Sequence, residues 1–248
     1  MAEIQIYSHK ELEFERPTII EAFPSVGLVG SIAGAYLIDF LQLELIGSVI
    51  SEDLHPMAVV HKSQPTHAIR IYGNKHLIIF ISEITPPVKM VMPLADKIIQ
   101  YAKEKNAKMI IAPEGFCTSE KCFPVEEPKV TAITTSNEIR EQLKKENVSL
   151  LSEGIITGVS GILLAEGARL NFPVVCLIAE ASNLVPDARS AASLIQVIDK
   201  LLPEVEIDIT GLVAQADVIE KNLKTAIEKS KTGLTGHNII PKDISMYE

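Results

Sequence analysis

The last three residues, Met246-Tyr247-Glu248, set a hydrophobic side chain, a penultimate tyrosine and a carboxylate in a row. A tyrosine ring supplies apolar area, its hydroxyl a hydrogen bond, and a terminal carboxylate a fixed anion. A chain end of this kind can enter a pocket on another protein. The string before it, KTGLTGHNIIPKDISMYE from Lys231 onward, contains two glycines and one proline and shows no sustained apolar period. Residues 231–248 are therefore expected to form a flexible tail.

Other residues invite a chemical reading and also have a plainer one. Ser25-Val26-Gly27-Leu28-Val29-Gly30 falls at an expected strand-to-helix turn and approaches a dinucleotide-binding fingerprint, with Glu52 or Asp53 at about the distance of a ribose-binding acid. Ser25 stands where the first glycine of that pattern belongs, however, and the elements that follow read as strands and a hairpin. Gly27, Gly30 and Gly34 recur three and four residues apart, which predicts a smooth helix face for close packing. Glu83 and Glu114 close apolar strands, where sites in α/β sheets tend to lie. Each is a potential general base or a solvated carboxylate, and the second reading is favoured.

Ser160 lacks the glycine spacing of a nucleophile elbow and is expected to be a helix N-cap. His55, His61 and His67 lie six residues apart and give no close metal pair, and His76 and His237 have no evident partners. Cys117 and Cys122 are expected to be an incidental pair of thiols. The reading therefore assigns no catalytic, cofactor-binding or metal-ligating residue.

The elements that must position these groups follow from pattern. Residues 17–23, 45–51, 58–62, 67–72, 77–83, 108–112, 130–134 and 173–179 read as strands. Gly73-Asn74 between two apolar runs is a hairpin signal. Helices are expected over Val26–Leu41, from about Pro93, over Asn137–Glu146, through Arg169 after Gly158-Val159-Ser160-Gly161, and over Asp187–Leu202 with Asp187 as N-cap. A last helix, Leu212–Ser230, carries an amphipathic stripe of Leu212, Ala216, Ile219, Leu223 and Ala226. Strands that are apolar on both faces, alternating with helices, predict an α/β fold. It has a mainly parallel sheet with an antiparallel hairpin portion and helices on both faces. Residues 1–230 are expected to be a single domain.

Composition limits the function classes. A formal net charge of −9 over 248 residues argues against a general nucleic-acid binder. No apolar run is long and clean enough to span a bilayer, and the N-terminus lacks a secretory pattern. Three cysteines without a framework fit a reducing cytoplasm.

Three segments together resemble the proteasome assembly chaperone 2 (PAC2) superfamily in its archaeal branch: EAFPSVGLVGSIAGAYLIDFL (21–41), EGIITGVSGILLAEGARLNFPVVCLIAEA (153–181) and VPDARSAASLIQVIDKLL (185–202). The resemblance implies a phosphorylase/hydrolase-like α/β fold used for binding, with members that self-associate. It also implies that Met246, Tyr247 and Glu248 fill a hydrophobic-tyrosine-X motif that docks between α-subunits of the 20S proteasome. The function so implied is a non-enzymatic, ATP-independent proteasome assembly chaperone or activator. It would be homo-oligomeric and cytoplasmic, with no cofactor and no nucleic-acid or membrane partner. The alternative is a nucleoside- or nucleotide-directed hydrolase or phosphorylase that uses the glycine turn with Glu83 or Glu114.

Overall fold

The computed structural model describes residues 3–61, 63–119, 122–205 and 207–214. Among these residues eleven strands and five helices are seen in chain order: β1 (Gln5–Ser8), β2 (Thr18–Ala22), α1 (Val29–Phe40), β3 (Glu44–Ile50), β4 (Val59–His61), β5 (Gln64–Thr66), β6 (Ile69–Gly73), β7 (Leu77–Ser82), α2 (Val88–Glu104), β8 (Met109–Phe116), β9 (Val130–Thr134), α3 (Asn137–Lys145), β10 (Ser149–Leu150), α4 (Gly158–Leu170), β11 (Val174–Glu180) and α5 (Ala188–Leu201). Nine strands make one sheet in the order β1-β3-β6-β7-β2-β8-β11-β9-β10, and β4 pairs with β5 in a separate ribbon.

The middle of the large sheet, β7-β2-β8-β11, is parallel. These strands are apolar on both faces because helices cover both. Ile20 of β2 and Ile111 of β8 join a core with α1 and α5, and Ile19 and Ile110 join a second core with α2 and α4. The expected α/β architecture is thus observed. The antiparallel portion is larger than one hairpin: β1, β3 and β6 extend the sheet beyond β7, and β9 runs antiparallel to β11. At the expected β6–β7 hairpin, the Asn74 side-chain oxygen accepts from the amides of His76 and Leu77, each at 2.9 Å.

Several boundaries differ from expectation for identifiable reasons. Helix α2 begins at Val88, five residues before Pro93, which lies inside it. Val88 and Met92 are exposed, so the first turn carries no amphipathic signal. The edge strands β1 and β10 have only four and two residues, too short to show alternation. A helical stretch opens at 210–214, and the rest of the expected helix to Ser230 lies outside the described residues.

Helix α1 lies close on the sheet. A Cβ at Gly34 would come within 2.3 Å of the Ala22 Cβ, so any larger side chain would lift the helix. Gly30 faces β-structure in the same way. Gly27 is not part of the helical strip. It belongs to a 3-10 turn at Val26–Leu28 with φ +64°, before α1 begins. Among the described residues no helix is long and apolar enough to cross a membrane.

Candidate functional site

Parallel strands β7, β2, β8 and β11 end on the same side of the sheet. The loops that follow them gather the sequence candidates there, as α/β topology dictates. The glycine turn after β2 is not an open phosphate cradle. The Asp187 amide donates to the Gly27 carbonyl at 2.8 Å, and a Cβ on Gly27 would sit 2.7 Å from the Ser182 carbonyl oxygen. The turn is therefore pressed against the loop between β11 and α5. The Gly30 amide donates to Ser25 Oγ at 3.3 Å, so the residue that breaks the fingerprint occupies a donor a phosphate would need.

Glu52 and Asp53 follow β3, and strands β6 and β7 separate them from β2, whereas a ribose-binding acid follows a neighbouring strand. Asp53 instead forms an ion pair with Lys89 at the start of α2. These two observations remove the dinucleotide reading.

Glu83 and Glu114 take different roles. Glu83 receives both terminal nitrogens of Arg70 from the neighbouring strand β6, with Nη1 at 2.9 Å from Oε2. Arg70 is only 4% exposed, and among the described residues its Nε has no hydrogen-bond partner. Burial acts to lower the Arg70 pKa, but the hydrogen bonds and charge of Glu83 outweigh it and the net direction is upward. The pair is a fork-to-carboxylate clamp joining β6 to the end of β7.

Glu114 meets a second acid. Ser160, three residues into α4, places Oγ 2.8 Å from Glu21 Oε2 and 2.5 Å from Glu114 Oε1. Ser160 is thus not an N-cap. Thr157 holds that position without a side-chain bond, and the Ser160 hydroxyl points into the sheet. Alternation along β2 puts Glu21 on the α2/α4 face with Ile19, and Glu114 shares that face on β8.

Glu21 is 2% exposed and Ser160 fully buried. Burial pushes the Glu21 carboxyl well above its ordinary range, and the neighbouring Glu114 charge adds to the rise. Burial likewise lifts Glu114 to about 7, opposed in part by the Ser160 hydrogen bond. Cys176 on β11 is buried beside them, and its thiol is pushed upward by burial and then by the two acids.

The sequence reading missed Glu21. The available signal was a glutamate inside the otherwise apolar strand PTIIEAF, which must be buried and so must have a partner.

A cavity of about 370 Å³ opens beside Glu114, lined by Val26, Phe116, Cys117, Leu151, Ile155 and Ile178 among others. Cys117, which borders it, is joined to Cys122 in a disulfide with Cα atoms 5.8 Å apart, in place of the expected thiols. The sequence shows these two cysteines only as near neighbours. Cys122 also ties the loop to the β11–α5 connection. Its amide donates to Asn183 Oδ1 at 3.0 Å, and its carbonyl accepts from Ser182 Oγ at 2.8 Å.

Among the described residues no three His, Cys, Asp or Glu groups gather as a metal site. His55, His61, His67 and His76 are not brought together. His237 and the residues expected to dock, Met246, Tyr247 and Glu248, lie outside the described residues.

The PAC2 family model matches residues 19–227. The crystal structure of Pyrococcus furiosus PbaA, an archaeal homolog of proteasome-assembly chaperone, is 32% identical, covers 92% of this chain and 93% of its own, and superposes with a TM-score of 0.82. Pyrococcus furiosus PbaB, an archaeal proteasome activator, shares the fold at 24% identity and a TM-score of 0.79, covering 92% of this chain and 100% of its own. The uncharacterized protein MJ0106 of Methanocaldococcus jannaschii is 32% identical over 219 residues, 88% of this chain and 89% of that one.

Proposed function

Because the chain belongs to the PAC2 family, we propose that it is a non-enzymatic, ATP-independent chaperone or activator of the 20S proteasome. It acts as a cytoplasmic homo-oligomer whose tails dock Met246-Tyr247-Glu248 into pockets of the α-subunit ring. The observation that carries this reading is the likeness to PbaA, at 32% identity over 92% of the chain. The terminal tripeptide supplies the docking chemistry. Tyr247 gives a ring and a hydroxyl for a groove, and the Glu248 carboxylate pairs with a lysine of the pocket.

Residues 1–230 form the body and residues 231–248 the tail in this reading. A flexible chain of that length explores roughly 20–25 Å. A single tail binds weakly because docking orders it. Several tails on one oligomer raise avidity by about 10²–10⁴-fold. Exposed apolar side chains such as Val88, 91% exposed, and Ile155, 89% exposed, offer surface for self-association.

Co-sedimentation of assembled 20S proteasome with the intact chain and with a chain ending at Ser245 tests the reading. The intact chain should travel with the proteasome and the shortened one should not. Equal binding by both would refute tail docking.

The cavity beside Glu114 supports one other reading, a nucleoside-directed hydrolase or phosphorylase. Thermal shift with nucleosides, nucleotides and inorganic phosphate separates the two. A chaperone or activator acting through its tail predicts no rise in melting temperature with any of them, whereas the enzyme reading predicts a rise with at least one.

A further inference from the structure

Ser160 has one proton to offer and two carboxyl groups within hydrogen-bond range, Glu21 Oε2 at 2.8 Å and Glu114 Oε1 at 2.5 Å. A hydroxyl donates once and accepts through its lone pairs. If both acids were ionised, one contact would set a carboxylate oxygen against a hydroxyl oxygen with no hydrogen between them. Both contacts are hydrogen bonds only when one carboxyl carries a proton and donates it to Ser160 Oγ. We propose that Glu21, Ser160 and Glu114 form a proton-dependent clasp, which holds the start of α4 on β2 and β8 with one carboxyl protonated at neutral pH and releases it in alkaline solution.

The surroundings favour the protonated form. Glu21 is 2% exposed and Ser160 fully buried, so water does not solvate a second charge there. The groups facing the cluster are Ser160 from α4, Glu21 from β2, Glu114 from β8 and the Cys176 thiol from β11. Among the described residues no lysine, arginine or histidine acts on either carboxyl. Two acids held around one hydroxyl, without a cation, share protons rather than ionise together.

The direction with pH follows from proton binding. Both carboxyls are raised above the ordinary value, Glu114 to about 7 and Glu21 in the same direction. Between the ordinary glutamate range and about pH 7 the folded chain holds more protons than the unfolded one, so stability falls as pH rises through that window. The pair loses its first proton as pH rises through about 7, and the clasp opens when the one remaining proton leaves in more alkaline solution.

Infrared spectroscopy of the intact protein tests the clasp directly. A protonated-carboxyl stretch should persist at neutral pH, disappear as pH rises, and be reduced in Glu114→Gln and in Glu21→Gln. In parallel, the melting temperature of the wild-type chain should fall by about 5–10 °C from about pH 5 to about pH 8. That of Glu114→Gln should fall much less, because its amide donates to Ser160 Oγ at any pH. Hydrogen exchange over residues 158–170 should rise with pH in the wild type relative to Glu114→Gln. Absence of the protonated band in the wild type at neutral pH would overturn the proposal, as would parallel melting curves for the two proteins. If a variant does not fold, the wild-type infrared titration decides alone.

Discussion

At the carboxyl end of the parallel strands the polar side chains answer one another. Glu83 takes Arg70, Glu21 and Glu114 take Ser160, and Ser25 takes the Gly30 amide. In residues 246–248 a ring, a hydroxyl and a carboxylate follow a stretch with no apolar period to seat them in a core. A group already bonded within the fold must give up that bond before it meets a ligand, so its desolvation has been spent on stability. Tail docking, as proposed, asks the groups of Tyr247 and Glu248 to meet a partner, whereas an enzyme at the sheet would ask groups already bonded to one another to meet a substrate.

A smaller contrast lies inside the sheet. Glu83 and Glu114 are indistinguishable in sequence, each ending an apolar strand. A cation beside Glu83 forms a clamp, whereas a second acid beside Glu114 retains a proton. The partner, not the strand position, sets the chemistry.

Predictions follow this division by size of effect. Tyr247→Ala should weaken proteasome binding by about 10²-fold, measured by equilibrium titration, while leaving the melting temperature unchanged. Arg70→Met should destabilise by about 3 kcal/mol in denaturant unfolding, because it removes both charge-assisted bonds to Glu83 and leaves the buried space of the guanidinium part-filled. The same isosteric change should act in opposite senses at the two glutamates. Near about pH 8, Glu83→Gln should cost about 1–2 kcal/mol by weakening the bonds to buried Arg70, whereas Glu114→Gln should stabilise by about 1–3 kcal/mol by removing a deprotonation penalty. Matching signs would dissolve the distinction between clamp and clasp. Glu141→Gln breaks an exposed pair with Lys144 on α3 and should leave the melting temperature unaltered.

Much of the fold was legible because the signals are local. The apolar runs of β2, β7 and β11, the Asn74 turn, Ser136 accepting from the Ile139 amide at 3.4 Å, and Asp187 accepting from the Ser190 amide at 3.0 Å all depend on neighbours in sequence. The cluster of Glu21, Glu114 and Ser160 was not legible as a unit. Its members are 46 to 139 residues apart, and only strand order and helix placement bring them together. The disulfide was misread because composition suggested reduced thiols, while the folded loop joins Cys117 to Cys122. The start of α2 was hidden by Val88 and Met92, apolar residues that face solvent and blur the helical period.

Side-by-side titration of assembled 20S proteasome with the wild-type chain, Glu114→Gln and a chain ending at Ser245 tests the account most directly. It predicts that wild type and Glu114→Gln bind alike and that the shortened chain does not bind. Undiminished binding by the shortened chain, or loss of binding in a folded Glu114→Gln protein, would contradict it.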